Sequence, residues 1–184
     1  MKISTIDALQ IFDSRGNPTV EARVILQNGT IGTGLVPSGS STGQFEAIEL
    51  RDGDTSRFKG RSVYGVIENI RTEISHVLRG KNVMDQEAID RAMIELDNTS
   101  DKSRLGANAL LAVSLAAADA ASQVKNVRLY EYLGNGAGNL LPLPEIQIIG
   151  GGAHADWRTD VQDFLIIPVG AKSYEQALEM AFNV

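Results

Sequence analysis

The chain has 184 residues, a net charge of −6, 43% hydrophobic residues and no cysteine. That length fits one large domain or one domain plus part of another, and the missing cysteines exclude disulfides, a thiolate metal site and a cysteine nucleophile. The acidic balance argues against a nucleic-acid partner, and with neither a signal peptide nor an apolar run of membrane-spanning length expected, the reading is a cytoplasmic protein.

Lys2 to Phe12 reads as a first strand, and Asp13-Ser14-Arg15-Gly16-Asn17-Pro18 as a turn. Thr19 to Leu26 alternates as a half-buried strand should, and Gln27 to Thr30 makes a hairpin turn into a third strand ending at Val36. These three segments predict an antiparallel meander. The next run, Pro37 to Gln44, is Pro, Ser, Thr or Gly at seven of its eight positions. Such residues cannot fill a core. Gly39 and Gly43 permit close backbone approach, and Ser40, Ser41 and Thr42 supply hydroxyl donors and hard oxygen ligands. The composition fits a flap over an anion or a hard cation, and equally a solvated loop. Glu46, Glu49, Asp52 and Asp54 follow, either as a metal cluster or as a solvated face.

Beyond Asp54 the apolar period becomes helical. Val63, Val66, Ile67, Ile70, Ile74, Val77 and Leu78 share one face, Gly80 is placed to end the helix, and His76 lies beside the stripe. A second helix is predicted over Asp85 to Leu96 with Asp85 as its cap. Asn98 to Ser103 is a polar linker. Ala107 to Val124 is an Ala- and Leu-rich helix whose small residues admit close neighbours, and Leu129 to Leu133 is a short amphipathic piece. The glycine-rich run Gly134 to Asn139 is the predicted domain boundary: residues 1–134 form one domain, 135–141 a linker, and 142–184 the start of another.

In that last part Ile146-Gln147-Ile148-Ile149 reads as a buried strand, Gly150 to Asp160 as a long loop and Val161 to Pro168 as a second strand. Ser173 then caps a helix with Ala177, Leu178, Met180 and Ala181 inward. His154 follows three glycines, and Asp163 lies nine residues on. A histidine on such a loop can orient or protonate an anion, and a nearby carboxylate can tune it; an exposed, non-catalytic role is the other reading. Gln162 and Asp163 alternate faces, so one cavity receives at most one of them unless the strand end twists or bulges. The glycines are no dinucleotide fingerprint, and there is neither a phosphate loop nor a nucleophile elbow.

Four stretches carry a resemblance: Asp13 to Glu21, Val36 to Gly43, Glu46 to Asp54, and Leu105 to Leu115. Together they make the chain resemble the enolase (phosphopyruvate hydratase) family along its whole length. The resemblance implies an α+β cap domain with a three-stranded antiparallel meander and helices, followed by the first hairpin and helix of a β/α barrel. It implies a carbon-oxygen lyase that dehydrates 2-phosphoglycerate to phosphoenolpyruvate with Mg²⁺, working as a homodimer or a higher even oligomer. In such sites a lysine base and Mg²⁺ together stabilise an enolate, an arrangement already well described for this superfamily. By correspondence Ser41 is the flap ligand to Mg²⁺. Gly39 and Ser40 are substrate-binding, His154 and Asp163 are catalytic and substrate-binding, and Gln162 is substrate-binding.

Four positions depart from the family pattern. Asp163 stands for a glutamate, drawing the carboxylate back by roughly 1.5 Å on an unchanged backbone. Gly150 stands where the family usually has asparagine, Phe45 replaces a histidine often seen after the flap, and Leu9 replaces an arginine associated with dimer contacts. The family's lysine base, barrel glutamate and carboxylate metal ligands correspond to positions beyond Val184, so the 184 residues alone are expected to be inactive. Two alternatives accompany this reading: a paralogue acting on a related phospho- or phosphono-carboxylate, and a non-catalytic cap-domain fragment.

Overall fold

The computed structural model describes residues 1–39 and 43–184, in two compact units, Met1–Gly138 and Asn139–Val184. In the first unit β1 (Ile3–Phe12), β2 (Pro18–Leu26) and β3 (Ile31–Val36) form an antiparallel sheet in chain order, the meander predicted from the sequence. Alternation sends Ile6 and Ala8 of β1, Val20, Ala22 and Val24 of β2, and Val36 of β3 into the core.

Helix α4 (Ala107–Val124) lies against β2 and β3, and residue size sets how closely. Gly32 and Gly34 face the helix. A Cβ at Gly34 would collide with the carbonyl oxygen of Ala112, and one at Gly32 with that of Ala116. Across the interface Ala112, Ala116 and Ala120 recur every four residues, one ridge of methyl groups fitted to a strand that presents hydrogens there. The outer edge of β3 is also closed: Asp119 accepts the Thr33 amide at 2.8 Å, and Gln123 donates to the Ile31 carbonyl at 2.9 Å. Both bonds occupy backbone groups that an edge strand otherwise leaves open.

By length and composition α4 is apolar enough to cross a membrane, against the expectation that no such run exists. The run belongs to the core, with 61% of it buried inside the fold.

The helix predicted over residues 63–78 is present, but not as one regular α-helix. α1 (Tyr64–Asn69) continues through a π-helical stretch, Ile70–Ile74, into α2 (Ser75–Leu78). Thr72 donates its hydroxyl to the Glu68 carbonyl at 2.7 Å, a back-bond that accompanies the widened ladder. Its apolar stripe is buried as expected, and His76 is exposed. In α3 (Gln86–Asp97) the Asp85 side chain accepts the Ala88 amide, which satisfies one free N–H of the first turn. The polar linker that follows is ordered by Asp97, whose buried carboxylate accepts the Leu105 amide at 2.7 Å and the Thr99 amide at 3.1 Å. α5 (Leu129–Leu133) closes the unit.

In the second unit β4 (Ile146–Gly150) pairs antiparallel with β5 (Asp163–Ile166), and α6 (Tyr174–Phe182) follows. Three expectations are corrected here. β4 is not buried: four of its five residues are exposed, since β5 is its only neighbour within the unit. β5 is also shorter than the predicted Val161 to Pro168, although the Gly151 amide still donates to the Gln162 carbonyl at 2.6 Å. Ser173 caps α6 by accepting the Gln176 amide, as expected. Of the four side chains predicted inward, only Ala177 is buried; Leu178 and Met180 face solvent.

Candidate functional site

The flap emerges from β3 at Pro37. Ser40 and Ser41, and the metal-ligand reading of Ser41, lie outside the described residues. Gly39 is exposed in the first unit, at a cleft of about 590 Å³ lined by Pro37, Gly39, Glu46, Glu49, Ala107 and Asn108.

Both ends of the flap are tied down. On the entry side Arg15 donates to the Ser38 carbonyl, and the Ser38 hydroxyl donates to Glu49 at 3.1 Å. Glu49 is paired with Arg51, which also donates to the Pro18 and Arg61 carbonyls. On the exit side the Asn108 carboxamide accepts the Leu50 amide at 3.2 Å and donates to its carbonyl at 3.0 Å, as a neighbouring strand would. The Ile48 carbonyl accepts the Ala107 amide at 2.8 Å, and the Ile48 amide donates to the Asp101 carbonyl at 2.7 Å. The Ser38 carbonyl and the amides and carbonyls of Ile48 and Leu50 are thus hydrogen-bonded on either side of the flap.

The carboxylates after the flap have other work. Asp52 accepts the Tyr64 and Gly65 amides, each at 2.9 Å, and so caps α1 from twelve residues upstream. Burial pushes the Asp52 carboxyl up, but those amides and the charge of Arg57 outweigh it and hold the group below its ordinary range. Asp54 accepts the Ser56 amide and hydroxyl. Among the described residues no group of three or more His, Asp or Glu side chains converges as metal ligands, so these residues by themselves do not form a Mg²⁺ site.

His154, Gln162 and Asp163 belong to the second unit. His154 is exposed on a short turn of 3-10 helix, Gly152–Ala155. Asp163 opens β5, opposite Gly150. Its carboxylate takes one hydrogen bond from the Gln147 carboxamide and another from the Gln162 carboxamide at 3.1 Å. Gln162 and Asp163 therefore meet in spite of strand alternation: Gln162 precedes β5, and the β4–β5 pairing carries a register irregularity between Gln147 and Ile149. The turn bearing His154 packs on the same glutamine, since a Cβ at Gly152 would lie 3.4 Å from Gln162 Cα. The partner that sequence reasoning missed is Gln147. Its one signal was a lone amide within the apolar run Ile146 to Ile149.

The first unit is thus a three-stranded antiparallel meander covered by helices, and the second a hairpin and a helix with a polar cluster of Gln147, Gln162 and Asp163 at the hairpin's end. The family description "Enolase, N-terminal domain" matches residues 3–133, and "Enolase, C-terminal TIM barrel domain" matches residues 138–184. The chain belongs to the enolase family. It is similar to "Enolase 1" of Desulfitobacterium hafniense (strain Y51), with 51% identity over 183 residues covering 100% of this chain. The chain spans 42% of that protein's length.

Proposed function

We propose that this chain is the N-terminal part of a Mg²⁺-dependent enolase that dehydrates 2-phosphoglycerate to phosphoenolpyruvate, a carbon-oxygen lyase working in the cytoplasm as a homodimer or higher even oligomer. Residues 1–134 are its cap, 135–141 a linker and 142–184 the opening of its barrel. The observation that carries this reading is the Asp163 carboxylate, held by two carboxamides beside the His154 turn, in a chain matched by both enolase domain descriptions.

Each residue then has a role within its reach. Gln162 keeps a carbonyl oxygen free to accept from a substrate hydroxyl while its amide group orients Asp163. Asp163 presents a fixed acceptor where proton movement accompanies loss of the hydroxyl. His154 orients or protonates the anionic end, and Gly39 and Ser40 are the flap residues proposed to bind substrate. Mg²⁺, when bound, would supply positive charge that makes the proton next to the substrate carboxylate more acidic. Within this chain Ser41 is the proposed ligand, and the remaining donors lie outside the described residues. Phosphoenolpyruvate formation from 2-phosphoglycerate and Mg²⁺ by the protein as its gene encodes it is the expected result; no product at any Mg²⁺ concentration sinks the reading.

One observation favours a second reading, a paralogue acting on a related phospho- or phosphono-carboxylate. The acid at position 163 is a methylene shorter than the family's glutamate and is tethered toward Gln147. Asp163→Glu separates the two readings. A large rise in 2-phosphoglycerate turnover marks the aspartate as matched to another substrate, whereas a fall marks it as the working acid of this one.

A further inference from the structure

Position 150 stands directly across from Asp163 in the β4–β5 pair and has no side chain. A Cβ placed there would lie 3.2 Å from the Gln147 side-chain nitrogen, tighter than an ordinary carbon–nitrogen contact. A side chain at 150 would therefore crowd the end of the Gln147 carboxamide, which reaches across the pair to the Asp163 carboxylate. The pairing carries a register irregularity between Gln147 and Ile149, between the position of Gln147 and the strand end where Asp163 sits. Gln162 takes the other carboxylate oxygen at 3.1 Å.

We propose that Gln147, Gly150 and Asp163 act as one unit, in which the absence of a side chain at 150 admits the Gln147 carboxamide and that carboxamide sets the direction of the Asp163 carboxylate. Gln147 is a positioning residue: it acts on substrate only through Asp163. The inference rests on the reading of Asp163 as a site residue and goes further. It explains two of the chain's departures from the family pattern, Gly150 and Asp163, as parts of one arrangement. A short acid has one fewer rotatable bond than glutamate, and with both oxygens bound by neutral amides its rotamer is fixed before substrate arrives. An acid so held is specific for substrates whose reacting group lies within its shorter reach.

The test uses the protein as its gene encodes it, with Gln147→Ala, Gly150→Val and the two combined, assayed with 2-phosphoglycerate and Mg²⁺. Gln147→Ala removes the donor, and Gly150→Val crowds it away from Asp163. Each is expected to lower kcat on the order of tenfold to a hundredfold with KM nearly unchanged, the signature of a misdirected group rather than of lost binding. Because both break the same contact, the combined variant should be no slower than the worse single. Losses that multiply, or singles that leave kcat intact in an active enzyme, overturn the proposal.

A second readout is independent of turnover. The NMR signals of the Gln147 and Gln162 side-chain amides should both shift in Asp163→Ala, and an unmoved Gln147 signal overturns the proposal. A protein without activity on 2-phosphoglycerate defeats the functional reading alone; the amide signals then decide this one.

Discussion

Asp97 is a residue whose burial and charge are reconciled by neighbours a few positions away. It ends α3 with its side chain out of water, and it accepts from the Leu105 and Thr99 amides and the Thr99 hydroxyl. Burial pushes its carboxyl up; the Thr99 and Leu105 hydrogen bonds and the charge of Arg104 outweigh that and hold it below the ordinary carboxylate range. A group depressed in this way contributes stability that is fully present above its unfolded value, about 3.9, and is lost as pH falls through the folded value. Urea midpoints should therefore be flat from neutrality to about pH 5 and fall below about pH 4. Asp97→Asn should cost about 1–3 kcal/mol at neutral pH, where three donors lose a charged acceptor, and should make the acid limb shallower. An unchanged acid limb in that variant would assign the slope to Asp7, Asp52 and the other lowered carboxyls.

At the scale of elements, the contact between β3 and α4 is set by backbone meeting backbone. Gly34→Ala places a methyl group on the Ala112 carbonyl, with no flexible side chain to yield, so the helix must lift from the sheet. The expected cost is about 1–3 kcal/mol, read as a lower thermal midpoint. Gly170→Ala, which meets nothing within 4 Å, is the neutral control. A midpoint for Gly34→Ala equal to that of the control would show that the interface gives way without cost.

Why some elements were legible and others were not follows from the same physics. The strands and helices of the first unit bury their apolar positions against one another, so the periods of two and 3.6 report true faces. β4 has the apolar run of a buried strand, yet burial belongs to neighbours, and within its unit it has only β5. Ser173 as cap was local and readable; the inward face assigned to Leu178 and Met180 was not. His154 and Asp163 were readable as candidates from the glycine-rich loop and their spacing; their site roles, and that of Gln162, came from the family resemblance. Gln147 stayed hidden because its role depends on a bulge and on an empty position across the ladder, neither of which a residue type announces.

For the whole molecule, the two units differ in how much of their stability each carries. The first contains a continuous core from Ile3 to Ala121. In the second the buried hydrophobic residue is Ala177, while Leu140, Val169 and Phe182 are each more than 80% exposed. At about 25 cal/mol per Å² of buried apolar surface, a hairpin and helix with so little buried cannot offset the entropy of ordering their backbone, about 1–2 kcal/mol per residue. Residues 1–138 expressed alone should therefore unfold cooperatively in urea with native circular dichroism, whereas residues 139–184 alone should show no transition. A cooperative transition in the short fragment would mean that the carboxamide-held Asp163 cluster and its hairpin stand by themselves. Its absence would mean that residues 139–184 alone do not hold the geometry around Asp163.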